Sequence, residues 1–177
     1  MSRKRLATVW LDGCSGCHMS FLDLDERLLT LAENAELVYS PLVDAKIFPE
    51  GVDIALVEGA VSSEEDLHKI QLVRKRTTTL VSLGDCAVTA NVPSMRNPFP
   101  VQAVYDRAYR ENVTLDPGVP GQVVPRLLPQ ARPIHEFVTV DVFVPGCPPS
   151  ADTIFYFLSE LLAGRQPELS LKTRFGA

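Results

Sequence analysis

Long apolar runs are missing from this 177-residue sequence. None approaches the roughly 20 residues that span a bilayer, so the chain reads as one that is not integral to a membrane. An excess of positive charge is missing too. With 17 Lys and Arg against 22 Asp and Glu the formal net charge is -5. A phosphate backbone needs a basic face to neutralise it, so nucleic acid is not an expected partner. No Gly-x-Gly-x-x-Gly follows a strand, so the sequence lacks the fingerprint of a dinucleotide-binding turn. Internal repeats and low-complexity blocks are lacking, which excludes solenoids and disordered tails. The apolar stretch after Arg3, Lys4 and Arg5 is cut at Asp12-Gly13, before a signal-peptide core of adequate length, and the expected location is cytoplasmic. Cysteine is scarce, with four in the chain. A chain of this length buries roughly 70% of the surface its unfolded form exposes, so it does not need disulfides and its thiols are free for chemistry.

What is present is an alternation of strand and helix patterns. Residues 5–11 read as a first strand, stopped by Asp12-Gly13. Phe21, Leu24, Leu28, Leu31 and Ala32 recur at helical spacing and predict an amphipathic helix over 21–32. Residues 37–40 and the nearly continuous apolar run 52–57 predict the next strands. Ser62-Ser-Glu-Glu65 fits a capping box for a helix over 63–76, with Arg74, Lys75 and Arg76 in its last turn. Strands over 79–83 and 138–144 follow, and Ser150 caps a last helix over 152–163 that Gly164 ends. The pattern predicts an α/β fold with a doubly wound, mostly parallel sheet of flavodoxin-like type, one domain over residues 1–177. Residues 93–133 hold eight of the fourteen prolines, so this Pro-rich excursion is expected to be mostly irregular, either a surface insertion or a partner-binding surface.

The cysteines carry the functional signal. Cys14 and Cys17 follow the first strand, Cys86 the fourth, and Cys147 the strand ending at Val144. In an open parallel sheet the carboxyl ends of the strands form the crevice where ligands bind, so the four thiols are expected to meet there. Gly13, Gly16, Gly84 and Gly146 beside them let a bulky inorganic centre approach and turn N–H groups toward it. Four unrelated buried cysteines are a duller alternative, because free Cys packs as a small hydrophobe. A structural zinc ion also takes four thiolates, but usually from two Cys-x2-Cys knuckles, and here only Cys14 and Cys17 form such a pair. A [4Fe-4S] cluster needs one thiolate per iron and suits ligands from separate loops better. An FMN-binding flavodoxin-like protein is a further alternative. Its phosphate needs a Ser/Thr-rich loop after the first strand, where this chain has cysteines, so FMN is not indicated.

The segments Leu11-Asp-Gly-Cys-Ser-Gly-Cys-His-Met-Ser-Phe-Leu-Asp23, Val57-Glu-Gly-Ala60, Gly84-Asp-Cys-Ala87 and Pro145-Gly-Cys-Pro-Pro149 resemble, in residues and order, the small subunits of [NiFe] hydrogenases. The whole chain is most similar to the short form found in cytoplasmic, bidirectional NAD(P)-linked enzymes. The resemblance implies that Cys14, Cys17, Cys86 and Cys147 hold one proximal [4Fe-4S] cluster. It also implies as partners a [NiFe] large subunit and the iron–sulfur/flavin subunits of a diaphorase module, which carry the Ni-Fe and NAD(P) sites. Periplasmic relatives carry a twin-arginine signal and a cysteine-rich extension for two further clusters; no Cys follows Cys147 here. The related subunit of respiratory complex I has adjacent cysteines at the first site, so the Cys14-x-x-Cys17 spacing favours hydrogenase over a quinone- or ferredoxin-linked complex.

The remaining residues have plainer readings beside functional ones. Glu58 lies beside the cluster in the family and would bond nearby N–H groups or relay protons; otherwise it is a structural carboxylate. Ser15 matches the position of a hydroxyl residue at the family's proton route into the large subunit, or is a small loop residue. His18 is read as a structural hydrogen-bond donor and not as a ligand. Asp12 and Asp85 read as turn residues. Trp10 is expected in the core. The last helix is apolar over so wide an arc that it either packs deeply or shows part of its face to another subunit.

Overall fold

The run Val52–Glu58 carries apolar side chains on both of its faces, and such a strand is stable only with cover on both sides. It becomes β3, the centre of a five-stranded sheet in the computed structural model of the chain, which describes residues 3–175. Around it lie β1 (Lys4–Trp10), β2 (Ala35–Tyr39), β5 (Thr77–Leu83) and β7 (Val142–Val144), in the order β2-β1-β3-β5-β7, every pair parallel. Leaving aside the short strands that lie outside this sheet, that is the flavodoxin-like order, with the strand sequence reversing between β1 and β3. A second, two-stranded antiparallel sheet pairs β4 (Val61–Ser63) with β6 (Leu127–Arg132).

The helices are α1 (Gly16–Leu22), α2 (Arg27–Asn34), α3 (Glu64–Arg76), α4 (Asp85–Thr89), α5 (Val101–Asp106) and α6 (Ala151–Leu162). Strand alternation divides the core between the two faces of the sheet. Ile54 and Leu56 pack with Phe21, Leu31 and Phe157 from α1, α2 and α6. Ala55 and Val57 pack with Ile70 and Val73 of α3 and with Ile134. None of the helices among the described residues is long and apolar enough to cross a membrane.

Several sequence expectations need correction. The helix expected over 21–32 is two helices, because Asp25 takes a left-handed φ of 50° and the chain turns to drive Leu24 into the core. Asp tolerates that conformation better than most residues. The capping box sits one residue further on: Ser63 accepts from the Asp66 amide and Asp66 accepts from the Ser63 amide, while Ser62 belongs to β4. The strand expected over 138–144 is paired only over Val142–Val144. Before it, Asp141 Oδ2 accepts from the Leu80 amide at 2.7 Å and from Arg74, taking over the ladder with a side chain. Trp10 is 45% exposed at the end of β1, not in the core.

The Pro-rich excursion is more ordered than expected. It contains a 3-10 turn over Pro93–Arg96, α5, a wide helical turn over Arg107–Glu111, and β6. Two side chains dock it. Asn97 both donates to Ala131 O and accepts from the Ala131 amide, at 2.9 and 2.8 Å, and Arg96 donates to the carbonyls of Ser62, Leu128 and Pro129. The wide apolar arc of α6 is used internally. Ile154, Phe157 and Leu158 are fully buried, and Phe155, Tyr156, Leu161 and Leu162 pack partly against the same cluster, as does Leu169 of the C-terminal segment.

Gly59 connects β3 to β4 with φ +93°, and a Cβ there would stand 2.8 Å from Asp12 O and Leu11 C. Those are backbone atoms with no room to yield. Gly59→Ala is therefore expected to cost about 2–3 kcal/mol, read as a lowered urea midpoint with an unchanged slope. A midpoint equal to that of the unaltered chain would contradict this close approach.

Candidate functional site

Of the loops that leave the carboxyl edge of the main sheet, those after β1, β5 and β7 carry cysteine. After β1 the chain is tied down at once. Asp12 and Ala60 exchange both backbone hydrogen bonds, at 3.1 and 2.7 Å, which joins this loop to the one after β3. Cys14 follows, exposed, and Ser15 enters α1 with φ 66°, its side chain giving no helix cap. Cys17 is buried in the first turn of α1.

The loop after β5 passes very close to Cys17. Gly84 has φ +84°, and a Cβ added to it would stand 2.2 Å from Cys17 Sγ, so only glycine fits. Cys86, buried, is the second residue of α4. The loop after β7 is sewn to this one by Asp85, whose amide donates to Gly146 O at 2.8 Å and whose Oδ1 accepts from the Gly146 amide at 2.7 Å. Gly84 likewise donates to Val144 O. Cys147 is exposed, and the Cys147-Pro148 peptide is cis. Asp85, read from sequence as a turn residue, is thus a buried clamp between two cysteine loops.

The thiols are near enough to feel one another's charge. Burial pushes the Cys17 thiol far up from its ordinary value, and Glu58, Cys86, Cys14 and Cys147 push it further. Burial also raises Cys86; the Val92 amide, hydrogen bonded to it, opposes the rise, while Cys14, Cys147 and Glu58 add to it. Other donors reach the exposed sulfurs: the Gly16 amide to Cys14 Sγ at 3.4 Å, and Asn91 Nδ2 to Cys147 Sγ at 3.7 Å. As they stand, no group of three His, Cys, Asp or Glu among the described residues is disposed to hold a single metal ion.

Glu58 ends β3 next to β1 and is 2% exposed. Its Oε2 accepts from the His18 amide at 3.0 Å, satisfying an N–H in the first turn of α1 that Ser15 leaves uncapped, and pairs with His18 Nδ1 at 2.5 Å. His18 Nε2 in turn meets Thr8 Oγ1 at 3.0 Å, and Thr8 bonds Ser40 at 2.8 Å. The sequence pointed to Glu58 but not to this line of polar groups. Thr8 sits inside an apolar strand and Ser40 just past β2, and a lone hydroxyl inside such a run is the signal that was there to be found.

The sequence matches the family described as NADH ubiquinone oxidoreductase, 20 Kd subunit, over residues 14–161. It is 44% identical over 170 residues to the NAD-reducing hydrogenase HoxS subunit delta of Cupriavidus necator, covering 93% of this chain and 81% of that protein. It is 31% identical over 163 residues to the sulfhydrogenase 2 subunit delta of Pyrococcus furiosus, over 92% of this chain, but spans only 64% of the length of that relative. Among solved structures, a chain of NAD+-reducing [NiFe]-hydrogenase in the H2-reduced state superposes with a TM-score of 0.93 at 41% identity, covering 98% of this chain and 99% of that one. A chain of the Dm. baculatum [NiFeSe]-hydrogenase shares the fold, with a TM-score of 0.63 at 18% identity, over 99% of this chain and 70% of that one.

The split between exposed and buried thiols is open to chemical test. The thiolate is the reactive form, and burial disfavours it at Cys17 and Cys86. In metal-free protein, iodoacetamide should label the exposed Cys14 and Cys147 on the order of tenfold faster than the buried Cys17 and Cys86, where burial both blocks the reagent and disfavours the thiolate. Peptide mass spectrometry reads the four rates, and equal rates would contradict the arrangement.

Proposed function

The chain belongs to the family of the NADH ubiquinone oxidoreductase 20 Kd subunit, and on that premise we propose that it is the electron-transfer small subunit of an NAD(P)-linked [NiFe] hydrogenase, holding one [4Fe-4S] cluster on Cys14, Cys17, Cys86 and Cys147. One observation carries the reading: the only four cysteines of the chain stand on three loops at one edge of the sheet, within electrostatic reach of one another. The donor set suits an iron–sulfur cluster, being four soft sulfurs supplied from separate backbone segments. When bound, such a cluster accepts and passes on single electrons.

The chain's own residues would do the rest. The Gly16 and Val92 amides and the Asn91 side chain direct N–H groups at sulfurs and so stabilise thiolate charge. Gly84 and Asp85 hold the loops of Cys86 and Cys147 at fixed separation from Cys17. Cys17 and Cys86 lie on the dry side of the site, whereas Cys14 and Cys147 mark its open side, where a partner's redox centre can approach closely. Within this reading the partners are a [NiFe] large subunit on that open side and a diaphorase module carrying NAD(P), and the complex works in the cytoplasm. The similarity to the HoxS delta subunit over most of both chains supports this assignment. Glu58 and Ser15 are proposed to stand beside the cluster and not to ligate it.

Anaerobic purification should yield about four iron and four sulfide per chain, with a brown colour bleached by dithionite. A colourless protein with stoichiometric zinc or bound flavin would overturn the reading. Cys86→Ser should lower iron content and abolish electron transfer, since an alkoxide is a poor ligand for such iron. With no second metal-holding group among the described residues and no dinucleotide motif in the sequence, the chain should also copurify with a larger [NiFe] subunit through an interface of more than ~2,000 Å². A monomer at micromolar concentration that captures no such subunit would count against the partner assignment.

A further inference from the structure

We propose that His18 is a positioning residue for Glu58: its ring and its backbone N–H together fix one carboxylate oxygen, so that the other is presented to the loop carrying Cys14. The inference rests on the cluster reading above and extends it to residues that do not touch the thiols.

The geometry divides the carboxylate into two halves. Oε2 takes both bonds from His18, at 3.0 Å from the backbone N–H and 2.5 Å from Nδ1. Oε1 faces the other way, toward Gly13, where an added Cβ would stand 3.4 Å from it. Gly13 immediately precedes Cys14, so the absence of a side chain there leaves the carboxylate open to the cysteine loop. Glu58 is 2% and His18 5% exposed, so water does not supply either bond. A buried carboxylate without such donors would pay a large desolvation cost, and it would be free to swing about its side-chain torsions.

The ring is itself held. Nε2 meets Thr8 Oγ1 at 3.0 Å, Thr8 bonds Ser40 at 2.8 Å, and Ser40 Oγ accepts from the Leu42 amide at 3.1 Å. Thr8 lies on β1 and Ser40 just beyond β2, so the imidazole is braced against the sheet. Each group fixes the one before it, from backbone amide through two hydroxyls to ring and carboxylate, as in a metal site whose outer partners orient the inner ones. The outcome is a carboxylate with one orientation beside a site whose thiols already feel its charge.

The test is a double-mutant cycle on the assembled hydrogenase, read by the midpoint potential of the cluster on this chain and by the EPR spectrum of its reduced form. His18→Ala deletes the ring but keeps the backbone N–H bond to Glu58, so α1 retains that anchor. It should shift the potential and replace one EPR species by a mixture, because the freed carboxylate samples several positions. In a Glu58→Gln background, adding His18→Ala should move neither. His18→Asn offers an amide N–H in place of Nδ1 and should stay closer to the unaltered protein in both readouts. Should His18→Ala fail to assemble, Thr8→Val loosens the ring without removing it, and its smaller shift should likewise vanish with Glu58→Gln. An unchanged potential and spectrum in His18→Ala, or the same shift with and without Glu58, overturns the inference, since a purely structural histidine would act independently of Glu58. Unaltered protein lacking iron and sulfide overturns the cluster reading and this inference with it. Iron present with an additive cycle overturns this inference alone.

Discussion

Charge of one sign is the constraint around which the carboxyl edge of this sheet is built. Cys17 and Cys86 are shifted by burial, by Glu58 and by other cysteines, and no cation among the described residues acts on them. Four thiolates gathered there would repel one another and resist leaving water. The compensation comes from dipoles in place of ions. Amides of Gly16 and Val92 and the amide side chain of Asn91 reach sulfurs, and Glu58, the carboxylate whose charge acts on both buried thiols, is bound on one oxygen by His18. Net charge is then left for a bound cation to balance, in keeping with the proposed cluster.

Fixed dipoles work only if the backbone that bears them is fixed, and the loops are correspondingly over-tied. Asp12 pairs with Ala60 across the switch point, Gly59 lies against the Asp12 backbone, and Asp85 bridges to Gly146. The sheet supplies the base, since parallel strands buried on both faces cannot slide without exposing one core or the other. Position thus passes from packing, through tight turns, to sulfur.

The sequence made legible what depends on period and punctuation. The five strands of the main sheet, α3 and α6 follow from apolar patterning and caps, and the strand-end placement of all four cysteines follows from those strands. What escaped depends on side chains that replace backbone. Asp141 stands in for a rung of the ladder, so β7 starts later than its apolar residues suggest. Asn97 pairs with Ala131 as a strand would, so a proline-rich stretch acquires an ordered edge. Trp10 was misplaced because aromatic character was read as burial, whereas at the end of β1 it is 45% exposed. The partners of His18 were out of reach for another reason: Thr8 and Ser40 meet through two parallel strands, and no local pattern encodes that meeting.

The docking of the excursion by Arg96 and Asn97 at its start, against Leu128, Pro129 and Ala131 near its end, makes it a closed loop before anything between those points is specified. Closing a loop costs entropy that grows only slowly with length, about 0.6 kcal/mol for each doubling. Residues 106–125 can therefore lengthen or shorten at little cost in closure entropy, while the strands that aim the thiols stay where they are. The molecule separates a scaffold of fixed geometry, where a displacement of an ångström matters, from one adaptable segment, where a new binding surface can be tried without putting the thiol site at risk.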